Sequence, residues 1–269
     1  MGREKLKEAK RIVVKIGTSS LLMKNGKVNL RLIDELAFTL TDLRNRGKDV
    51  ILVSSGAIGA GMGTLGLSER PKEIPLQQAL AAVGQASLLN IYMERFSGYN
   101  QKIGQVLMTR DVIEYPGSRA NAVNTFEKLL HLGLVPIVNE NDTVAIDELQ
   151  HETRFGDNDL LSVIVAVLLE ADLLVMFSDI DGFYTANPLT HHEAKLIPEV
   201  HRITKDLLER SHEKGSKFGT GGMHSKLMAA KQIIAQDAMM VLTNGQRPKD
   251  LFEILAGKEI GTFFAAAKE

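Results

Sequence analysis

Short apolar runs, several of them nearly unbroken, recur along this chain, and each gives way to glycine or polar residues. They are Ile12–Ile16, Val50–Val53, Ile103–Met108, Leu134–Val138, Leu173–Phe177 and Met239–Leu242. Near-continuous runs of this length describe strands covered on both faces, the condition of a parallel sheet held between helices. Helical patterns fill the intervals. Leu30–Arg46 ends at Gly47, and Leu76–Phe96 is rich in Ala and Leu. Ser118 is placed to cap a helix running to about Leu132, which Gly133 follows; Asp157 or Asn158 is placed to cap Asp159–Glu170; Met223–Ala235 follows a glycine cluster. The alternation predicts an α/β fold with a parallel or mainly parallel sheet between helix layers.

In open α/β sheets ligands bind beyond the carboxyl ends of the strands, so the residues just after each run carry the chemistry. Val13–Leu22 (VVKIGTSSLL) places Lys15 near a strand end, ahead of Gly17. A lysine there meets an anion, or it simply snorkels to solvent. Ile51–Gly63 runs from a strand through Ser54, Ser55 and Gly56 into a helix of small residues. Its free N–H groups suit a phosphate or carboxylate, while tight packing alone would also select Gly and Ala. Gly61, Gly63 and Gly66 match a G-x-G-x-x-G spacing, but they lie well past the strand and read as accidental.

Three further stretches are polar where strands end. Val138–Leu149 delivers Asn139, Glu140, Asn141 and Asp142 together, and Phe155–Ser162 sets Asp157, Asn158 and Asp159 ahead of an apolar helix. One cap needs only one such residue. Phe177–Pro188 holds Ser178, Asp179 and Asp181, for a nucleotide or for a plain turn. Gly219–Lys226 (GTGGMHSK) puts Lys226 in the first turn of a helix, where the dipole opposes a cation unless an anion is bound. No G-x-x-x-x-G-K-[ST] occurs, which excludes a P-loop NTPase. His191 and His192 read as a solvated pair, and no metal-ligand set emerges.

Composition narrows the field further. With 32 basic and 33 acidic side chains, the balance gives no electrostatic reason for nucleic acid or an anionic membrane as partner. The absence of cysteine excludes disulfides, thiolate zinc sites and cysteine nucleophiles. The charged start MGREKLKEAK lacks a signal-peptide apolar region, and Leu160–Leu169 is too short to span a membrane, so a cytoplasmic protein is expected. A single domain over 1–269 is expected, with a lobe boundary near Glu170.

VVKIGTSSL, VSSGAIGAG, AAVGQ (Ala81–Gln85), VNENDTVA, FGDNDLLS, SDIDGFYTANP and GTGGMHSK, in this order and spacing from about Arg11 to Phe264, resemble the amino acid kinase family. Within it they are most similar to the subgroup whose acceptor is the side-chain carboxylate of free glutamate. The resemblance implies a three-layer αβα sandwich with a central, mainly parallel sheet. It implies an acceptor lobe over 1–170 and a nucleotide lobe over 171–269. It implies transfer of the terminal phosphoryl group of ATP to L-glutamate, giving L-glutamyl 5-phosphate at the start of proline biosynthesis, with Mg²⁺ carried mainly by ATP. Lys15, Lys226 and Asp159 would be catalytic, with backbone N–H groups around Gly17, Gly56 and Gly222 completing the anion site. Ser55, Gly56, Ala57, Asp142 and Asn158 would hold glutamate. Lys15, Ser178, Asp179, Thr220, Gly221, Gly222, Met223, His224, Ser225 and Lys226 would line the ATP site. Proline as feedback inhibitor, a homo-oligomer and coupling to glutamate-5-semialdehyde dehydrogenase are further implications. Many bacterial members of the subgroup carry a C-terminal PUA domain, for which this chain leaves no room, so a form without it is expected. Two rivals are a sibling kinase acting on acetylglutamate, aspartate or a nucleoside monophosphate, and a catalytically silent amino-acid sensor. Asp142 argues against the first; Lys15, Asp159 and Lys226 together argue against the second.

Overall fold

A computed structural model of the chain describes residues 2–109, 111–144, 158–188, 190–210 and 222–267. After a 3-10 turn over Arg3–Glu8 come β1 (Arg11–Ile16), α1 (Thr18–Leu21), α2 (Leu30–Asn45), β2 (Asp49–Ser54), α3 (Ala57–Leu65) and α4 (Ile74–Ser97). Next are β3 (Ile103–Met108), α5 (Asp111–Glu114), α6 (Pro116–His131), β4 (Val135–Glu140), α7 (Asn158–Leu168) and β5 (Leu173–Ser178). The remainder is β6 (Glu199–Val200), α8 (Lys205–Arg210), α9 (Met223–Ile234), β7 (Met239–Asn244), α10 (Asp250–Leu255) and β8 (Thr262–Phe264).

The strands form one eight-stranded sheet in the order β3-β4-β2-β1-β5-β7-β8-β6. Every pairing is parallel except β7 with β8, so the mainly parallel sheet is as anticipated. The chain starts at β1, builds one half through β2, β3 and β4, then returns to lay β5 on the other side of β1. That reversal makes the carboxyl ends of β1 and β5 a topological switch point, where a crevice opens in folds of this kind. Lys15 stands there, in register with Val53 of β2 and Met176 of β5. Glu170 lies in the turn between α7 and β5, and β5 pairs directly with β1 in the one sheet.

Period-two alternation in the buried strands produces two cores. Ile12, Val14, Ile16, Leu52, Val175 and Phe177 pack on one face with Ile33, Leu36 and Leu40 of α2, Leu88, Tyr92 and Phe96 of α4, and Leu251 and Ile254 of α10. Val13, Val53, Val138, Leu174 and Met176 pack on the other with Phe126 of α6, Val163 and Val165 of α7, and Leu227 and Ile233 of α9. Burying both faces of the sheet in this way is what fixes three layers.

Some local expectations change. The helix expected to start at Ser118 begins at Pro116, with Tyr115 in the capping position. Proline is preorganised for the first helical position and lacks the N–H that a serine cap would satisfy. Strand β4 extends to Glu140, so Asn139 belongs to the sheet and not to the loop. Gly61 lies inside α3, and a Cβ there would strike the Leu80 carbonyl of α4; likewise a Cβ on Gly84 of α4 would strike the Ala57 carbonyl of α3. Gly61 and Gly84 serve a close helix–helix crossing, while Gly63 faces the Gly26 carbonyl and Gly66 is the left-handed C-cap of α3, so the G-x-G-x-x-G spacing joins three unrelated local needs. Among the described residues no helix is long and apolar enough to cross a membrane.

Candidate active site

Lys15 is carried by β1, one residue before its end, and only 4% of its surface is exposed. Burial of an ammonium group is costly unless it is paired. Its partner is Asp159, in the first turn of α7 and 1% exposed, with Oδ1 2.6 Å from the Lys15 Nζ. The other oxygen, Oδ2, accepts from Lys226 Nζ at 3.1 Å and from Ser225 Oγ at 2.8 Å. Lys226 is 8% exposed and stands with Ser225 in the first turn of α9, behind Gly222 in the N-cap position. Burial alone would push the Asp159 carboxyl upward. The charges of Lys15 and Lys226, with hydrogen bonds from Lys15 and Ser225, outweigh it and hold the group well below the usual carboxylate range. The Asp159 carboxylate thus draws two buried ammonium groups together at the sheet's switch point.

A second cluster adjoins the first through the backbone of α7, because Asn158 directly precedes Asp159. Asn158 Nδ2 donates to Ser55 Oγ at 2.9 Å and to Asn139 Oδ1 at 3.0 Å. Asn139 Nδ2 in turn donates to Gln85 Oε1 on α4 at 2.7 Å. Asn158 Oδ1 is buried and has no hydrogen-bond partner among the described residues. Buried acceptors are nearly always satisfied, so an exception at the start of α7, beside the ends of β2 and β4, suits a ligand's donor. Ser55 is itself tied into the sheet end, its N–H donating to the Ile16 carbonyl at 3.1 Å. Gly56 is next, with φ +97°, a left-handed conformation that glycine adopts without strain, and turns the chain into α3 at Ala57. Asp142 lies just past β4, half-buried.

On the other flank, Ser178 ends β5. Its Oγ donates to Asp179 at 3.1 Å, and its carbonyl accepts from the Gly245 N–H at 2.7 Å. Asp181 is held by Asn244 Nδ2 at 2.9 Å and Arg247 Nη2 at 3.2 Å. Met223 packs against the core, and the His224 ring sits 3.3 Å from the Leu208 carbonyl of α8. Thr220, Gly221 and Asp157 lie outside the described residues. Lys15, Asp159, Ser225 and Lys226 are thus brought into direct contact, as are Ser55 and Asn158; Ser178 and Asp179 sit at the adjacent strand end. From the sequence, Asn139 figures only within the polar stretch after the fourth apolar run and Gln85 only within AAVGQ, neither with a site role. The available signal was an amide inside an Ala-rich helix and another at a strand end.

At its strand ends, the geometry offers a buried cation pair beside a polar hydrogen-bonded cluster, which suits transfer of an anionic group. The amino acid kinase family profile matches residues 10–244. The chain is 62% identical to a glutamate 5-kinase of Enterococcus faecalis, covering 97% of each. It is 56% identical to a glutamate 5-kinase of Listeria monocytogenes, covering 99% of this chain and 97% of that one. Among solved structures, T. acidophilum isopentenyl phosphate kinase aligns with a TM-score of 0.63 at 15% identity, covering 94% of this chain and 99% of that one. UMP kinase of Bacillus anthracis aligns with a TM-score of 0.63 at 15% identity, covering 97% of each. These two carry the fold alone. By profile, by relatives across nearly its whole length and by fold, the chain belongs to the amino acid kinase family.

Proposed function

We propose that this protein transfers the γ-phosphoryl group of ATP to the side-chain carboxylate of L-glutamate, giving ADP and L-glutamyl 5-phosphate at the first step of proline biosynthesis. The relatives across nearly the full chain support the substrate pair. The observation that carries the chemistry is the buried Lys15–Asp159–Lys226 cluster at the sheet's switch point. A glutamate side chain has a pKa of about 4.3, so the nucleophile is ionised at neutral pH and requires no general base. What remains is to align two anions and neutralise the charge around the moving phosphoryl group.

Lys15 approaches that group from the acceptor lobe, 1–170, and Lys226 from the nucleotide lobe, 171–269. Asp159 holds both ammonium groups and does not exchange a proton. Ser55, Gly56, Ala57, Asp142 and Asn158 hold glutamate; Ser178, Asp179 and Thr220 through Lys226 hold ATP. Mg²⁺ would supply further charge neutralisation and would arrive with ATP. Both Asp159 oxygens are already engaged by Lys15, Ser225 and Lys226, so the fit is to a metal that arrives with the nucleotide. An acyl phosphate hydrolyses readily, which favours coupling to the dehydrogenase that reduces it, and proline is the feedback ligand on this reading.

A coupled ADP-release assay across glutamate, aspartate, N-acetylglutamate and UMP tests the proposal. Release that depends on glutamate and is weak with the others supports it. Preference for another acceptor, or ATP turnover that ignores every acceptor, defeats it.

A further inference from the structure

We propose that Gln85 is a positioning residue for the acceptor pocket: it sets the orientation of the Asn139 and Asn158 amides so that Asn158 Oδ1 faces the substrate's α-ammonium. This rests on the reading of the site as a glutamate pocket. Gln85, Asn139, Asn158 and Ser55 form a chain of contacts of 2.7, 3.0 and 2.9 Å. Each carboxamide has a donor end and an acceptor end of nearly the same shape. The chain can therefore run in two self-consistent senses. In one, Asn139 donates to Gln85, Asn158 donates to Asn139 and Ser55, and Asn158 Oδ1 is left over. With all three amides turned over, Gln85 would donate to Asn139, Asn139 to Asn158, and the Asn158 NH₂ would be left over.

The two senses select opposite ligands. A leftover oxygen takes an ammonium hydrogen; a leftover NH₂ takes a carboxylate or carbonyl oxygen. Asn139 is buried within the chain, and Asn158 is the pocket end, so Gln85 is where the sense is decided. Its helix is well placed for this. The neighbouring Gly84 lets α4 close onto the Ala57 carbonyl in the first turn of α3, fixing α4 against the same loop that bears Ser55 and Gly56. Asp142, on the adjoining turn, would supply a charge to the same ammonium, which has three hydrogens to give.

Gln85→Glu and Gln85→Met separate orientation from mere packing. Glutamate at this position can only accept, so it holds the sense seen here; methionine has similar length and holds neither. Gln85→Met is expected to raise the glutamate KM about tenfold, the worth of one oriented hydrogen bond, with kcat and the ATP KM within about twofold. Gln85→Glu is expected to keep the glutamate KM within about threefold of the parent. Equal glutamate KM values in the two variants, or a methionine variant that shifts ATP KM and kcat as strongly, would overturn the inference. Should the methionine variant not fold, Gln85→Ala against Gln85→Glu makes the same comparison. Parent enzyme that does not use glutamate defeats the function proposed above; parent enzyme that does, with Gln85→Met unchanged, defeats only the role of Gln85.

Discussion

Replacing Asp159 by Asn keeps the side chain's shape and removes a negative charge that two buried ammonium groups share. Asp159 lies 2.6 Å from Lys15 and 3.1 Å from Lys226, and almost none of it reaches solvent. Removing one partner of a buried ion pair costs about 3–5 kcal/mol, because the charge left behind loses a buried counter-charge. At roughly 2–4 °C per kcal/mol for a chain of this size, Asp159→Asn should lower the melting temperature of the ligand-free protein by on the order of 10 °C. ATP brings its own negative charge to the same lysines, so it should raise the melting temperature of the variant more than that of the parent. The kcat should fall about two to three orders of magnitude, with smaller changes in either KM, since the lysines lose their aim.

The sign of the pH dependence is set by the lowered Asp159 pKa. With a folded-state pKa below its unfolded value of about 3.9, the group contributes stability that is present above that pH and lost as pH falls below it. It therefore stays ionised through neutrality and gives no acid limb to the rate profile there. Melting curves with and without ATP, and kcat against pH for both proteins, are the assays. A ligand-free variant that melts with the parent would refute the charge argument. An acid limb that vanishes in the variant would make Asp159 a general base instead.

Other substitutions test separate parts of the site. Lys15→Ala and Lys226→Ala should each lower kcat by about two to three orders of magnitude, and a variant with near-parental kcat removes that lysine from the mechanism. Asp142→Asn should lower kcat/KM for glutamate by roughly one to two decades, leave the ATP KM nearly unchanged and narrow the preference over N-acetylglutamate, which has no α-ammonium. Loss of ATP affinity would move Asp142 to the nucleotide site. Gly84→Ala should destabilise the fold by about 1–3 kcal/mol in denaturant titrations, since its Cβ would meet the Ala57 carbonyl. An unaltered midpoint would show that the crossing of α3 and α4 yields easily.

The sequence was most informative where periodicity and punctuation agree. The strands around Lys15 and Ser178 are apolar runs that stop at polar residues, and their placement at the sheet's switch point comes from that rhythm. The meeting of Lys15, Asp159 and Lys226 was not legible from spacing, because each is a strand end or helix start far from the others in the chain. Only the ordered set of motifs joined them. Strands β6 and β8, of two and three residues, are too short to show a period. At the start of α6 the sequence held competing signals, and Pro116 prevailed over Ser118. Gln85 was obscured because a helix packed on several sides has a weak apolar stripe, so one inward amide does not stand out. Its significance appears only when Asn139, carried by a neighbouring strand, is seen to reach it.

The central claim is that the phosphoryl group passes to a carboxylate. ATP labelled at its γ-phosphorus, incubated with this protein, Mg²⁺ and glutamate and quenched with hydroxylamine, tests it most directly, because an acyl phosphate is trapped as the hydroxamate. The account predicts glutamyl hydroxamate in step with ADP, released label that depends on both glutamate and Lys15, and neither in the Lys15→Ala protein beyond a trace. ADP formed without hydroxamate, or hydroxamate formation undiminished by Lys15→Ala, would contradict it.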